Sequence, residues 1–423
     1  MFKAALRSIK DDFSRSLFYW LTFVLTSMFM FLFFNISYNE KIDVNFINSR
    51  NDMATFITVF VIGICMVVIF FANDFFAKKK AKDMAVRLVC GSTYLQIAKF
   101  LLYQSAILLL LAIPTGIILA IVFIPIINII LSVSFHTDLI LSIQMDAMSS
   151  TALILVIVIF YSTILNLGYA YRNSIHTLIN EERLNLKSGV PVFQMNFKLS
   201  LKMKKIISTF LFLLPVVMFY IYGNDSKNLL AFSIIGILGF FMFLNNVFIP
   251  YLNKLTHTLK TNNSTLLIYL GFIRTNIIVL KKNIILLIIS AIFFVSLLIA
   301  SLENPLEMIL AYISFITINI LLSLSIMFKY STEIAVRKKY YLSLERIGYT
   351  KETLKTIIRK EVYLFYFIII CFSLLYISNM IISLVIHKII NINMLIILTL
   401  SFVVPLLLCA LVNHIYYNKT ILK

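Results

Sequence analysis

Charge is scarce in this chain. Only 13% of its 423 residues are Asp, Glu, Lys or Arg, against 61% hydrophobic, which leaves too little polar surface to clothe a water-soluble globule. Glycine is scarce as well, and none of the 10 glycines opens a G-x-x-x-x-G-K-[ST] run. That excludes a phosphate-binding loop of this type. The four cysteines, Cys65, Cys90, Cys371 and Cys409, fall in apolar runs or beside basic clusters and imply no disulfide framework. His176, His257, His387 and His414 are scattered, and nothing resembles a metal cluster or a nucleophile–base pair. Basic residues outnumber acidic ones, 37 to 18, yet no soluble segment gathers them into a surface for nucleic acid.

What the chain does have is long apolar runs. A membrane-crossing helix needs roughly 20 predominantly apolar residues. Ten such stretches occur, near 17–37, 54–76, 101–124, 150–170, 206–222, 228–252, 283–301, 308–328, 362–386 and 394–416. The expected class is an all-α integral membrane protein with about ten transmembrane helices. Basic residues favour the cytoplasmic side. With the N-terminus inside, 33 of the 37 lie on inner segments, and only Lys41, Arg50, Lys227 and Lys388 fall outside. Both termini are therefore expected to be cytoplasmic. The first apolar run lacks a small-residue cleavage site and is too long for a signal peptide, so it is expected to remain as a span.

The order of features repeats. "ALRSIKDDFSRSLFYW" leads into the first span and "GFIRTNIIVLKKNIIL" (271–286) into the seventh, with Arg7 opposite Arg274 and Arg15 opposite Lys282. "KDMAVRLVCGSTYLQIAKFLLYQ" (82–104) and "YYLSLERIGYTKETLKTIIRKEV" (340–362) align on Gly91 and Gly348, which sets Lys80 opposite Arg337 and Gln104 opposite Glu361. "YRNSI" (171–175) matches "YNKTI" (417–421). Six crossings separate the copies, so both have the same orientation, unlike the inverted repeats of many secondary carriers. The expected arrangement is 4+2+4: a first four-helix unit over 1–178, a linker and central pair over 179–267, and a second unit over 268–423.

Each aligned stretch reads as a short amphipathic helix, a glycine stop and a new membrane helix. Ala77, Ala81, Met84 and Leu88 recur at helical spacing, with Lys78, Lys79, Lys82 and Arg87 on other faces. Gly91 suits the left-handed position that ends a helix, and Thr93 with Gln96 fits a capping box opening the next one. In the second copy Tyr340, Leu344 and Ile347 form the stripe and Gly348 the stop. Thr350 is the expected cap, with Glu352 in the first turn. Such a helix either lies on lipid headgroups or docks onto a cytoplasmic partner, and the duplication favours the partner.

Other readings are more local. Phe2, Leu6, Ile9 and Phe13 share a helical face apart from Lys3, Arg7 and Lys10, as in an interfacial helix, and Trp20 would anchor the same interface. The apolar run from Phe100 to Phe135 exceeds one crossing; it either continues outward as a helix, bent at Pro114 or Pro125, or folds back. His136, Asp138 and Asp146 follow in a solvated loop or a substrate-contacting vestibule. Asn128, Asn166, Asn245, Asn246, Asn319, Asn379 and Asn413 suit helix–helix contacts. Asp74, Lys329 and Glu361 are expected near span ends, in reach of water or a partner, so the buried relay of an ion-coupled carrier is absent.

The run "KDMAVRLVCGSTYLQIAKFLLYQSAILLLLAIPTGIILAI" resembles the signature of the FtsX-like permeases, the membrane subunits of MacB/FtsX-type ABC transporters. Asp83, Arg87 and Gly91 match, and Pro114-Thr115-Gly116 partly matches the Gly-rich middle of the following helix. In the second copy Gly348 and Glu361 match, but Leu344 replaces the arginine. The 4+2+4 plan resembles in particular the BceB-type permeases of peptide-antibiotic resistance.

The resemblance implies two coupling helices seated in grooves of ABC ATPase subunits, with two ATPase copies per permease chain. Met84, Leu88, Leu344 and Ile347 would be the buried contacts, and Asp83, Arg87, Glu345 and Arg346 the polar rim, with Gly91 and Gly348 as the stops. ATP and magnesium would sit on the partner, with no cofactor in this chain. It further implies a multi-pass protein of a bacterial, Gram-positive cell membrane, with lipid, a small accessory membrane protein or a sensor kinase as further partners.

The departures matter too. BceB-type proteins carry a large external domain between helices 7 and 8, where this chain has only "LENPLE" (302–307), and the loop after the first span, 38–53, is a modest polar turn. With no external receptor, the leading expectation is export or expulsion of a hydrophobic or amphipathic peptide already in the bilayer. A lipid-linked substrate and a signalling subunit acting on a membrane-embedded kinase are the alternatives.

Overall fold

The computed structural model describes residues 2–11, 13–38, 52–135, 142–172, 200–222, 226–258, 264–300, 305–388 and 392–421. Every regular element among them is helical: α1 (Phe2–Asp11), α2 (Phe13–Ser37), α3 (Asp52–Lys79), α4 (Ala81–Val89), α5 (Tyr94–Phe135), α6 (Met145–Arg172), α7 (Leu201–Ile221), α8 (Ser226–Phe243), a π-turn (Leu244–Phe248), α9 (Ile249–Thr258), α10 (Ser264–Ala300), α11 (Pro305–Arg346), α12 (Lys351–Ile386) and α13 (Ile392–Ile421). Among the described residues ten stretches are long and apolar enough to cross a membrane, and each overlaps one of the ten apolar runs. The protein is an all-α, multi-pass membrane protein.

Apolar composition alone does not set where helices end. The run after Gly91 continues as a single helix of 42 residues, with Pro114 and Pro125 inside it. At about 1.5 Å per residue it is roughly 63 Å long, twice a hydrocarbon core of about 30 Å. α11 also has 42 residues. The two copies differ in continuity. In the first, Lys80 interrupts the path from α3 to α4, its N–H shared between the carbonyls of Phe76 (3.3 Å) and Ala77 (3.1 Å). In the second, the equivalent stretch is the unbroken end of α11.

The helices form two compact groups: α1–α6 with α11 up to Leu321, and α7–α10 with α12, α13 and the rest of α11. In the first, α2 packs on α3, α5 and α6. Tyr19 stacks on Phe76 at 4.6 Å, and its hydroxyl donates to Asn73 Oδ1 at 2.8 Å; Ser162 on α6 donates to the same oxygen at 3.2 Å. A neutral polar node thus ties α2, α3 and α6. Where α5 crosses α2, Gly116 lets the backbones touch: an added Cβ would stand 2.5 Å from the Val24 carbonyl oxygen. Small residues at helix crossings permit this approach. Gly116→Val is expected to destabilise by about 1–3 kcal/mol through overpacking, read as a lower thermal midpoint of the purified protein.

In the second group α8 packs on α7 and α10, and α12 on α10 and α13. Phe212 stacks on Phe243 at 4.4 Å and meets Tyr376 edge-on at 5.2 Å, while the Tyr376 hydroxyl donates to the Phe212 carbonyl. Asparagines bridge helices here. Asn413 donates to the Tyr366 hydroxyl at 2.7 Å, Asn379 accepts from Tyr220 at 2.8 Å, and Asn246 donates to Ser208 at 3.0 Å. Asn319, in the part of α11 that belongs to the first group, is buried with no hydrogen-bond partner among the described residues.

Candidate functional site

The two glycine stops have the same geometry. Gly91 has φ +90° and Gly348 φ +109°, the left-handed region where a Cβ is unwelcome. At each, the N–H of the next residue reaches back across the turn: Ser92 to the Arg87 carbonyl at 2.9 Å, Tyr349 to the Leu344 carbonyl at 3.1 Å. This is the Schellman ending. New helices then start from side-chain caps. Thr93 N–H donates to Gln96 Oε1 at 3.1 Å and Gln96 N–H to Thr93 Oγ1 at 3.3 Å, a reciprocal box. Thr350 Oγ1 accepts from Thr353 N–H at 3.3 Å. The caps fix the direction of α5 and α12 relative to the segments before them.

Burial separates the faces and corrects one expectation. Met84, expected as a buried contact for a partner, is fully buried within its own chain, in a cluster with Ala81, Ala85, Ile97, Ala98, Leu101 and Ala170. The stripe at helical spacing is the side that α4 turns to α5 and α6. Leu88 is half-buried at the edge of that cluster. Arg87 is half-buried too, its guanidinium 4.1 Å from the centre of the Phe100 ring. The outward set is Asp83, Val86, Val89 and Cys90, with Val89 69% exposed.

The second copy agrees at the outward positions and at one inward one, while Lys338 and Leu342, aligned with the buried Ala81 and Ala85, are exposed. Tyr341 is buried where Met84 is, and Tyr340, Ser343, Arg346 and Ile347 face outward, with Ile347 74% exposed. Glu345 is exposed and Leu344 half-buried.

Behind the second short segment lies a charged hub. Glu361, expected within reach of water, has no exposed surface. It pairs with Arg337, which is itself 5% exposed. Its Oε1 also accepts from Asn276 (2.9 Å) and the Tyr330 hydroxyl (3.1 Å), and its Oε2 from Tyr341 (3.1 Å) and Tyr417 (3.0 Å). Arg337 donates further to Asn276 Oδ1 (2.6 Å), Thr275 Oγ1 (2.8 Å) and the Phe272 carbonyl (3.2 Å). One carboxylate therefore binds α10, α11, α12 and α13 together. Burial alone would lower the Arg337 pKa, but Glu361, Tyr417, Tyr330 and Glu333 together outweigh it and the net shift is upward. Burial also lifts the Tyr341 hydroxyl far above the ordinary tyrosine range, so it stays a donor.

The aligned positions in the first copy are occupied differently. Lys80 is 1% exposed, and its Nζ donates to Ser8 Oγ at 2.8 Å and to the Ser8 carbonyl at 3.3 Å. Ser8 aligns with Thr275, so a cation clasping a hydroxyl of the lead-in helix recurs in both copies. Gln104 stands where Glu361 would be. It is wholly buried, and both atoms of its amide lack a hydrogen-bond partner among the described residues. The shared spacing of 24 residues between cation and amide or carboxylate was the signal for this hub in the sequence.

Residues 55–176 match the family model of the FtsX-like permease C-terminal domain. That range takes in α3 through α6, including α4, Gly91 and the capped start of α5. No curated protein matches the chain. The domain is a transmembrane component rather than a nucleotide-binding one, and such domains typically belong to the membrane subunits of ABC transporters, which generally partner with an ABC ATPase. Across α3–α6, this protein is similar to the C-terminal domain of the FtsX-like permeases.

Proposed function

We propose that this chain is the permease subunit of an ATP-driven ABC transporter, coupled at two places to separate ATPase subunits that hold ATP and magnesium. The observation that carries the reading is the duplicated ending: two short segments with the same left-handed glycine, the same capped exit and the same outward positions. An interfacial helix resting on lipid has no need of that repetition. Val89 and Ile347, with Asp83 and Arg346 beside them, are the contacts we assign to the two ATPases. Leu88 and Leu344 support them from the half-buried edge. On this reading both short segments and both termini face the cytoplasm, on the side that gathers most of the basic residues.

The cargo we assign is a hydrophobic or amphipathic peptide, taken from the bilayer and expelled, as in self-protection against a membrane-active peptide. The BceB-like helix plan and the shortness of residues 302–307 support this. The test is tolerance: cells given both permease and ATPase should withstand such a peptide better than cells given either alone. Unchanged tolerance, with sensor-kinase output still dependent on both subunits, would replace transport by signalling.

A further inference from the structure

α4 begins without the help that α5 and α12 receive. Each of those starts from a threonine cap, whereas the first turn of α4 has no side-chain cap. A helix of 9 residues is too short to hold its own shape in water, so its direction is set by what it is fixed to. Its inner face packs on α5 and α6, and Gly91 closes its far end. Its near end is Lys80, the turn out of α3, whose carbonyl accepts the Met84 N–H at 2.9 Å and so starts the helix.

Lys80 is 1% exposed, and an ammonium held out of water needs partners. They come from two directions. Ser8 of α1 offers its hydroxyl at 2.8 Å and its carbonyl at 3.3 Å. Asp83, in the first turn of α4, stands 3.9 Å away and is half-exposed. One ammonium thus links α1 to the start of α4. α1 is itself well placed to hold on: Ala5, on the same helical face as Ser8, is fully buried, and the helix packs on α5.

The second copy holds its segment differently. Arg337 lies inside α11, whose path runs unbroken to Arg346. Besides the Thr275 hydroxyl it has Asn276, the Phe272 carbonyl and Glu361, so the hydroxyl is one hold among several. Only the first segment depends on a hydroxyl and a carbonyl from a separate lead-in helix.

We infer that α1, through Ser8, is a positioning element for α4. The Ser8–Lys80–Asp83 clasp sets the angle at which Val89 and its outward neighbours meet their partner. Lys80 is buried out of a partner's reach and acts only through α4. Without the clasp α4 swings about Lys80 while the helices behind it keep their packing. A partner that needs α4 seated then binds more weakly, in proportion to the fraction of chains in which it is seated.

Two readouts test this. The first needs no partner: a nitroxide on Cys90, exposed at the end of α4, in a chain with Cys65, Cys371 and Cys409 replaced by alanine. Ser8→Ala and Lys80→Met should each narrow its spectrum, Ser8→Thr should keep the parent line shape, and Thr275→Ala should leave it alone. The thermal midpoint should not fall with Lys80→Met, because a buried charge is removed and the half-exposed Asp83 can hydrate. The second readout rests on the coupling reading. With Ile347→Asp closing the second site, Lys80→Met should weaken ATPase binding about tenfold, as expected for loss of a charge-assisted hydrogen bond. With Val89→Asp closing the first, it should change nothing. An unmoved Cys90 spectrum, or mobility that comes only with a lower midpoint, would overturn the clasp. A mobile α4 with full-strength ATPase binding would overturn its positioning role and leave the coupling reading intact. Parent chains that bind no ATPase would overturn the coupling reading, and with it the use assigned to the clasp, whatever the spectrum shows.

Discussion

Replacing Glu361 with leucine is expected to destabilise the protein strongly, and making the same replacement at the aligned Gln104 to stabilise it. Leucine at 361 strands Arg337 in an apolar setting, and removing one partner of a buried ion pair costs about 3–5 kcal/mol. The hydroxyls of Tyr330, Tyr341 and Tyr417 lose their acceptor as well. Glu361→Gln should fall between wild type and Glu361→Leu, because the amide oxygen still accepts while the charge is gone. At Gln104 the amide makes no hydrogen bond among the described residues, so leucine removes a buried polar group whose burden is about 1–3 kcal/mol. Thermal midpoints in detergent should move down for Glu361→Leu and up for Gln104→Leu. Equal losses at both positions would mean that the two sites are structurally equivalent after all.

That contrast bears on mechanism. In the second group the short segment before Gly348 is the unbroken end of α11, and α11 is tied to α10, α12 and α13 through one carboxylate. In the first group α4 is set off from α3 by a turn at Lys80, whose buried ammonium is held by Ser8 at 2.8 Å and lies 3.9 Å from Asp83 of α4. The second segment is thus continuous with a helix that one carboxylate ties to three others, whereas α4 is separated from α3 by a turn.

Much of this was legible in the sequence, for physical reasons. The ten spans follow from the apolar runs, and glycine, threonine and glutamine mark the stops and caps because few other residues satisfy those backbone groups. The two glycine stops and their caps were read at aligned positions, and the Ser8–Lys80 and Thr275–Arg337 contacts fall at aligned positions too.

Three things did not show. Periodicity tells which residues share a face but not what the face meets, so Met84 pointed to a partner when it packs on Ile97 and Leu101. Distance from the end of an apolar run says little about burial when helices continue beyond the bilayer, so Glu361 looked wet. The π-turn before Pro250 left no mark beyond the proline itself, because it arises from how a missing N–H is accommodated in three dimensions.

The second large effect concerns docking. If Val89 and Ile347 sit in grooves of two ATPase subunits, an aspartate at either position places a charge in an apolar contact, and affinity there should fall at least about tenfold. Both side chains are mostly exposed in this chain, so neither change should disturb folding, and unaltered thermal midpoints would show it. Met84→Asp is the contrasting case: it should unfold α4 from its own core and lower the midpoint.

The most direct measurement is the ATPase stoichiometry of the complex purified through the permease. The account predicts two ATPases per wild-type chain, about one for Val89→Asp or Ile347→Asp, and none for the double variant. Wild-type chains that purify without an ATPase, or complexes indifferent to both substitutions, would contradict it.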